Sequence, residues 1–133
     1  MQHINRVKFI TAMPFFLATV AIFIASHQSK IEIPNVNIWD FDKILHLIAY
    51  FVYTILLMIY LNGNFDLTKG KILLITFGIA TVFAISDEIH QSFIPGRTAS
   101  VYDFLADLIG IALAMFFHRK VPKIIEKIGL LAK

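Results

Sequence analysis

One stretch of this sequence, SDEIHQSFIPGRTASVYDFLADLIG at residues 86–110, is rich in side chains that could do chemistry. Its charged and hydrogen-bonding members include Asp87, Glu88, His90, Gln91, Arg97, Asp103 and Asp107. Carboxylates and imidazoles can transfer protons, and an arginine can hold a phosphate or a carboxylate with its planar guanidinium. The segment just before it, ILLITFGIATVFAI, is apolar enough to lie in a membrane. The stretch is therefore either a solvated loop or part of a polar site built into a membrane protein.

A second polar group opens the second apolar segment of the chain. Asp42, His46 and Tyr50 are spaced by four residues, so a helix places them on one stripe, with Lys43 next to Asp42. Asp40 or Asp42 is also suited to cap the amino end of this helix. Tyr50 alone is explained as an ordinary interfacial tyrosine, whereas His46 lies one turn deeper than Asp42 on an apolar helix. Asp42 and His46 are therefore predicted to have a functional role.

The composition indicates a membrane protein. The chain has 133 residues, a single-domain length, of which 58% are hydrophobic, 16% are charged and 13 are phenylalanine; its mean hydropathy is +0.75. So small a charged fraction is unusual for a soluble domain. Because no cysteine is present, disulfides, thiolate metal sites and a cysteine nucleophile are excluded. The net charge of +3 matters less than where the charges lie, and no nucleic-acid partner is expected.

Several apolar segments come close to the roughly 20 residues that a membrane-spanning helix needs. They lie at about 9–25, 44–61, 72–93 and 103–117, and the segments between them are rich in Gly, Pro, Asn or Ser. The first segment could also be a signal peptide, but its apolar run is long and lacks a clean small-residue cleavage site. The sequence thus predicts an all-α, integral membrane four-helix bundle that forms one domain over residues 1–133.

The positions of Lys and Arg predict which way the bundle faces. Nine of these residues fall in the N-terminal tail, in the loop between the second and third spans, or after Phe117, and three fall in the remaining segments. Because positive residues collect on the cytoplasmic side, we expect both termini in the cytoplasm. The polar stretch at residues 86–110 is then at the outer face.

The basic tail, residues 118–133, has its own pattern. Its apolar residues recur at helical spacing, namely Val121, Ile124, Ile125, Ile128 and Leu131. With lysines on the opposite face, the pattern predicts a short amphipathic C-terminal helix that binds anionic lipids of the inner leaflet. A frayed basic tail that only fixes the topology is the alternative.

The polar residues before the third loop are expected to close a helix rather than lie in the loop. Nothing breaks the third helix before Pro95, so Asp87 lies about 22 Å along its axis at a rise of 1.5 Å per residue. On this helix Asp87 and Gln91 share a face. Ionisable groups at such depth face a protein interior or a cavity. They form either a functional site or a structural pair with Arg97 or Lys43.

The fourth helix brings two further acids. Ser100 and Asp103 resemble a capping box, which gives Asp103 a structural role. Asp107 lies one turn deeper, on the same stripe as Gly110 and Ala114, whose small size permits close approach of a neighbouring helix. We expect this approach to bring Asp107 towards the acids of the third helix.

Metal ligands are not evident from the spacing. His46 and His90 are side chains that can take up a proton or bind a metal. The sequence has no pair of histidines at i, i+4 and no HExxH motif. It therefore predicts no metal site and no other cofactor, with a divalent metal as the less favoured alternative.

Taken in order, these residues resemble the VanZ-like family of bacterial membrane proteins. The matching set is Asp42, Lys43, His46 and Tyr50, then SDEIHQSFIPGR, then Asp103, Asp107 and Gly110, over roughly residues 40–114. The resemblance implies a multi-pass protein of the bacterial cytoplasmic membrane. The family's name member is associated with resistance to the glycopeptide teicoplanin. Asp107 and Ala114 depart from the pattern, in which asparagine and a second glycine are common.

Two main interpretations of function stay open, and both place a site at the outer leaflet. In one, the protein binds a lipid-linked cell-wall precursor or a lipid head group and affects teicoplanin susceptibility. In the other, it is a membrane-embedded hydrolase or transferase that modifies that lipid by acid–base chemistry. The catalytic candidates are Asp87, Glu88, His46 and Asp42, and the binding candidates are Lys43, Tyr50, Gln91, Arg97, Asp103 and Asp107. An accessory subunit of another membrane protein is a third alternative, and a homo-oligomer that shares the site is possible.

Overall fold

The structure, a computed structural model, describes the backbone of residues 2–28 and 38–131 and the side chains of residues 5–28 and 41–129. Along these residues the chain forms α1 Gln2–Ser26, α2 Ile38–Asn64, α3 Lys69–Gln91, α4 Val101–Phe116 and α5 Val121–Leu131. A short 3-10 turn, Phe117–Arg119, joins α4 to α5. The described residues contain no strand.

Four stretches of helix are long and apolar enough to cross a membrane. They are Asn5–Ser26, Phe41–Asn64, Lys69–Gln91 and Val101–Arg119. Large apolar side chains such as Phe9, Leu74 and Phe116 are exposed on their surfaces, as expected where helices face lipid. The predicted all-α, four-span architecture is confirmed. The prediction that both termini are cytoplasmic stays a prediction.

An aromatic layer joins the first three helices. Tyr50 and Tyr53 lie on the buried face of α2, the helix that contacts all the others. The ring of Tyr53 has its centroid 5.4 Å from that of Phe15 on α1 and 4.9 Å from that of Phe83 on α3. This layer packs α1 and α3 against α2. At a rise of 1.5 Å per residue, Tyr53 lies about 10 Å from His46 along the axis of α2.

α4 approaches α2 closely at Gly110. A Cβ at this position would overlap the carbonyl oxygen of Leu47 and would lie 3.0 Å from the backbone nitrogen of Phe51. The small residue thus permits a close helix approach, as predicted, and the neighbour is α2. Because Asp107 lies one turn before Gly110, its side chain is brought against α2 as well.

The turn between α3 and α4 places the start of one helix beside the end of the other. α3 ends at Gln91, and residues 92–100 form the turn. Gly96 has a φ of +80°, a backbone conformation that L side chains rarely adopt. Ser100 caps α4, because its hydroxyl oxygen accepts a hydrogen bond of 3.3 Å from the backbone N–H of Asp103.

α5 is the predicted short helix after the last span, and part of its apolar stripe faces the bundle. Val121 is buried and packs with Met58 and Ala114, and Ile125 packs against them. Ile124 is exposed, as are the neighbouring lysines. The stripe therefore partly docks α5 to the protein, and its binding to anionic lipid stays a prediction.

Candidate functional site

Buried polar side chains gather where α1 and α3 end and α2 and α4 begin; we call this region the site end. They are Ser26, His46, Asp87, Glu88, Gln91, Asp103 and Asp107, none of which is more than 8% exposed. Such side chains are expensive to place in a membrane protein unless they find partners or serve a function. The predicted site residues of α2, α3 and α4 thus lie together at helix ends.

His46, Glu88 and Asp107 form the most interconnected part of the site; we call these three residues the His46 cluster. Nδ1 of His46 lies 3.0 Å from Oδ1 of Asp107 and 3.9 Å from Oε1 of Glu88. The three residues belong to α2, α3 and α4, so the cluster links three helices. Because Nδ1 is engaged with Asp107, the imidazole is held in one orientation.

The other carboxylate oxygen of Glu88 holds the turn between α3 and α4. It accepts a hydrogen bond of 2.7 Å from the backbone N–H of Ser100. In a capping box this N–H would bond to the side chain of Asp103. The predicted capping box is therefore only half present. Ser100 accepts the hydrogen bond from the Asp103 N–H, but the N–H of Ser100 bonds to Glu88 instead of Asp103. Asp103 instead lines a small polar opening between the loop and the helices.

Asp87 and Gln91 connect α3 to α1. Nε2 of Gln91 donates a hydrogen bond of 3.2 Å to Oδ2 of Asp87, in agreement with their i, i+4 spacing. The same nitrogen lies 3.5 Å from Oγ of Ser26. The sequence did not single out Ser26, because it follows the first apolar segment without a periodic pattern. Its contact with Gln91 makes α1 part of the site.

Arg97 lies at the mouth of the site. Its Nη2 is 3.8 Å from Oδ1 of Asp42, an ion pair longer than a hydrogen bond. Its Nη1 donates to the carbonyl oxygens of Ala25 at 3.3 Å and Gln28 at 3.5 Å. Arg97 therefore ties the α3–α4 turn to the end of α1 and places its charge beside the buried acids.

The beginning of α2 differs from the sequence prediction. The helix starts at Ile38, so Asp42 lies inside it and the prediction that Asp42 caps it is wrong. The other capping candidate, Asp40, lies outside the side chains that the structure describes. Lys43, a predicted binding residue, is half-buried on α2 and does not line the cleft described next.

A cleft of about 170 Å³ lies between α1, α2 and α3 beside the His46 cluster. Apolar walls come from residues such as Ile22 and Leu45, and Leu45 is 48% exposed on the side of the bundle. The buried polar part is formed by Ser26, His46, Tyr50, Asp87 and Gln91, with Asp42 and Arg97 at the mouth. Apolar walls that lead to a few convergent polar groups are typical of a ligand site.

Three buried polar atoms of the site have no hydrogen-bond partner among the described residues. They are the hydroxyl of Tyr50, Oε1 of Glu88 and Oδ2 of Asp107. Leaving a buried polar group unpartnered costs about 1–3 kcal/mol. Such groups are therefore expected to meet a ligand, an ion or water.

Among the described residues, the charges that meet at the site are predominantly negative. The buried carboxylic acids are Asp87, Glu88, Asp103 and Asp107. The cationic side chains that line the cleft are Arg97, which pairs with Asp42, and His46 when it is protonated. Closely spaced acids in a low-dielectric region need shared protons or cations. The site thus favours a ligand that brings positive charge or hydrogen-bond donors.

His90 lies apart from the His46 cluster. Because it is two residues from Glu88, it points to a different face of α3. Its Nε2 is 3.3 Å from Nδ1 of His27, and its ring stacks on Phe23 with centroids 4.7 Å apart. The histidine that the sequence marked for proton uptake or metal binding thus packs on α1 at the protein surface.

This fold and site define a class of protein: a small multi-pass helical membrane protein with buried acidic residues and a histidine at one end of its bundle. A model of the VanZ/LLP1 family matches residues 2–122, which include all four spans and the site residues described above. The chain belongs to the VanZ/LLP1 family, which confirms the resemblance seen in the sequence.

Part of the chain is also similar to a fungal protein. Over 78 residues it is 30% identical to "Uncharacterized protein C11E3.10" of Schizosaccharomyces pombe. The similar region makes up 58% of this chain and 46% of that relative, so it spans less than half of the relative's length. No solved structure matches the chain significantly.

Proposed function

We propose that the protein binds the polar head group of a membrane lipid or of a lipid-linked envelope component. The observation that carries this proposal is the cleft between α1, α2 and α3, which joins an apolar side opening to a buried polar end. An acyl chain packs against walls such as Ile22 and Leu45, while the head group meets His46, Tyr50 and Gln91. A ligand that is half apolar and half polar uses both parts of the cleft.

The opposite charges at the mouth and in the depth of the cleft favour a head group that has both a phosphate and a hydrogen-bond donor. Arg97 at the mouth can hold a phosphate with its guanidinium. Deeper in the cleft, Asp87 accepts hydrogen bonds from an ammonium or a hydroxyl. A phosphate ester that also carries an amine or hydroxyl groups therefore fits better than a purely anionic head group.

We place the site on the outer side of a bacterial cytoplasmic membrane, and the distribution of Lys and Arg supports this orientation. In this orientation the ligand is an outer-leaflet phospholipid or a lipid-linked cell-wall precursor. Binding it changes what is exposed at the membrane surface, where a lipoglycopeptide such as teicoplanin acts. Cells that lack the protein are accordingly expected to differ in teicoplanin susceptibility.

The direct experiment is mass spectrometry of lipids that remain bound to the purified protein in a mild detergent. The wild type is expected to retain one lipid class above its abundance in the membrane, and Arg97→Gln or Asp87→Asn to lose most of it. Arg119→Gln and Asp66→Asn are matched controls, because both residues are exposed at the opposite end of the bundle. Retained lipids that mirror the bulk membrane in the wild type would refute the proposal.

Catalysis is the second candidate function, and the His46–Asp107 contact of 3.0 Å is the observation that favours it. A carboxylate that orients an imidazole is the arrangement of a general base, and Glu88 lies beside it as a possible acid. The test is incubation of the protein with a membrane lipid extract. A new lipid product that His46→Asn and Glu88→Gln fail to form supports an enzyme, whereas unchanged lipids with retained binding support the binder.

A further inference from the structure

We infer that the His46 cluster binds a divalent transition-metal ion through Nδ1 of His46, Oε1 of Glu88 and a carboxylate oxygen of Asp107. Each of these residues offers one ligand atom within 4.8 Å of the other two, and all three side chains are buried. Imidazole nitrogen together with carboxylate oxygen is a ligand set of Zn²⁺, Mn²⁺ and Fe²⁺.

The distances within the cluster suit a shared ion. At metal–ligand distances of about 2.0–2.2 Å, two ligands of a tetrahedral ion lie about 3.4 Å apart. Nδ1 of His46 is 3.0 Å from Asp107 and 3.9 Å from Glu88, so the two distances fall on either side of this value. The ligand atoms of Glu88 and Asp107 lie within 4.8 Å of each other, so an ion would draw these two side chains together.

The unpartnered atoms are an independent indication of an ion. Oε1 of Glu88 and Oδ2 of Asp107 have no hydrogen-bond partner among the described residues. Glu88 is 7% exposed and Asp107 is 0% exposed. The backbone N–H of Ser100 holds the other oxygen of Glu88, which orients Oε1. Ligating carboxylates are commonly oriented by a hydrogen bond of this kind.

The surrounding charges also favour a cation. An ion at the cluster offsets the negative charge of the buried acids. A ligating His46 is neutral, so among the described residues that line the cleft Arg97 is then the remaining cationic side chain. A polar opening of about 50 Å³ lies next to the cluster, because it is lined by Ser100, whose backbone N–H bonds to Glu88, and by Asp103. With three protein ligands, the ion keeps a coordination position for water or a phosphate oxygen.

The inference departs from the sequence-based prediction of no metal. The three ligands come from three helices, so no local spacing such as an i, i+4 histidine pair marks them. Metal binding by the His46 cluster does not require lipid binding. The one part that rests on the proposed function is the coordination of a lipid phosphate by the ion. Arg97→Gln and Asp87→Asn leave all three ligands in place, so lipid retention and metal binding can fail separately.

The test is metal binding by the full chain, purified without a histidine tag and stripped with a chelator. Titration with Zn²⁺ and with Mn²⁺, followed by removal of free ion and elemental analysis, is expected to give one tightly held ion per wild-type chain. Asp107→Asn and Glu88→Gln keep the shapes and hydrogen-bond acceptors of these side chains and are expected to weaken binding by at least about 10-fold.

The controls separate this site from other ligands in the chain. Asp66→Asn and Glu126→Gln make the same chemical changes at exposed acids outside the site end and should bind as the wild type does. His27→Asn with His90→Asn removes the surface histidine pair and should also leave binding unchanged. If the wild type binds neither ion, or if the cluster variants bind as tightly as these controls, the inference is overturned.

A measurement on the wild type alone guards against variants that fail to fold. Co²⁺ bound to a low-coordinate site has intense visible absorption bands, whereas hydrated octahedral Co²⁺ absorbs weakly. We expect intense bands that Zn²⁺ abolishes by displacement. A spectrum that remains that of the hydrated ion would overturn the inference.

Discussion

Nδ1 of His46 and Oδ1 of Asp107 lie 3.0 Å apart in the protein interior, although the two residues are 61 positions apart in the sequence. The contact joins α2 to α4 at the site end, where Gly110 lets the two helices approach. It orients the histidine that lines the cleft, and it gives the carboxyl group of Asp107 a polar partner. The same contact therefore belongs both to the packing of α4 on α2 and to the site.

The first prediction concerns the energy of this pair. His46→Leu and Asp107→Leu each leave a buried polar partner without its contact, so each is expected to destabilise the bundle. The double variant should be less destabilised than the sum of the two, with a coupling energy of about 1–3 kcal/mol. Unfolding by increasing denaturing detergent, followed by circular dichroism, measures all three variants.

A second double-mutant cycle, in which His90 replaces His46, is the control for the His46–Asp107 pair. His90→Leu combined with Asp107→Leu should be additive within about 0.5 kcal/mol, because His90 contacts His27 and Phe23 instead. Additivity in the His46 cycle as well would show that the short contact contributes nothing to stability.

A second prediction concerns the approach of α4 to α2. Gly110→Ala places a methyl group against the backbone of Leu47 and Phe51, so the helices must separate. We expect a loss of about 1–3 kcal/mol in the free energy of unfolding. Gly78→Ala is the control, since a Cβ there meets nothing within 4 Å and alanine favours the helix. Equal effects of the two substitutions would contradict the close packing at Gly110.

The role of Glu88 in the α3–α4 turn gives a third prediction. Glu88→Ala removes the acceptor of the Ser100 N–H, so amide hydrogen exchange in the peptide around residues 96–103 should become faster. Glu88→Gln retains an acceptor oxygen and should largely preserve the wild-type exchange rate. Mass spectrometry of the exchanged peptides measures both. Unchanged exchange in Glu88→Ala would mean that the turn does not depend on this bond.

Because the chain lacks cysteine, its topology can be tested with single introduced thiols. Ala99→Cys at the site end should react with a membrane-impermeant reagent added outside intact cells. Asp66→Cys, exposed between α2 and α3, should react only after the membrane is opened. The reverse pattern would place the site in the cytoplasm and would contradict the expectation that the site faces outwards.

Sequence reasoning was most accurate where local geometry decides the outcome. Helical rise alone placed Asp87 and Gln91 inside α3 rather than in a loop, and the structure ends this helix at Gln91. The i, i+4 spacing predicted that the two residues share a face, and the structure shows a hydrogen bond between them there. The four spans followed from apolar length, and Gly110 followed from the need for small residues where helices cross.

What the sequence missed depends on contacts between helices. Nothing in the spacing of α2 and α4 specifies that His46 meets Asp107, because helix rotation and tilt are set by packing. The capping box at Ser100 was only partly correct, because Glu88 reaches the same N–H from another helix. The prediction that Asp42 caps α2 failed because the helix already begins at Ile38, four residues before Asp42.

The central claim, that the cleft binds a lipid head group, is tested most directly by an experimental structure of the protein in a lipid bilayer nanodisc. We predict density for a phosphate next to Arg97 and for the rest of the head group against Asp87 and Gln91, with an acyl chain leaving along Leu45. A cleft that holds only water or protein side chains, while lipids lie elsewhere on the bundle, would contradict the proposal.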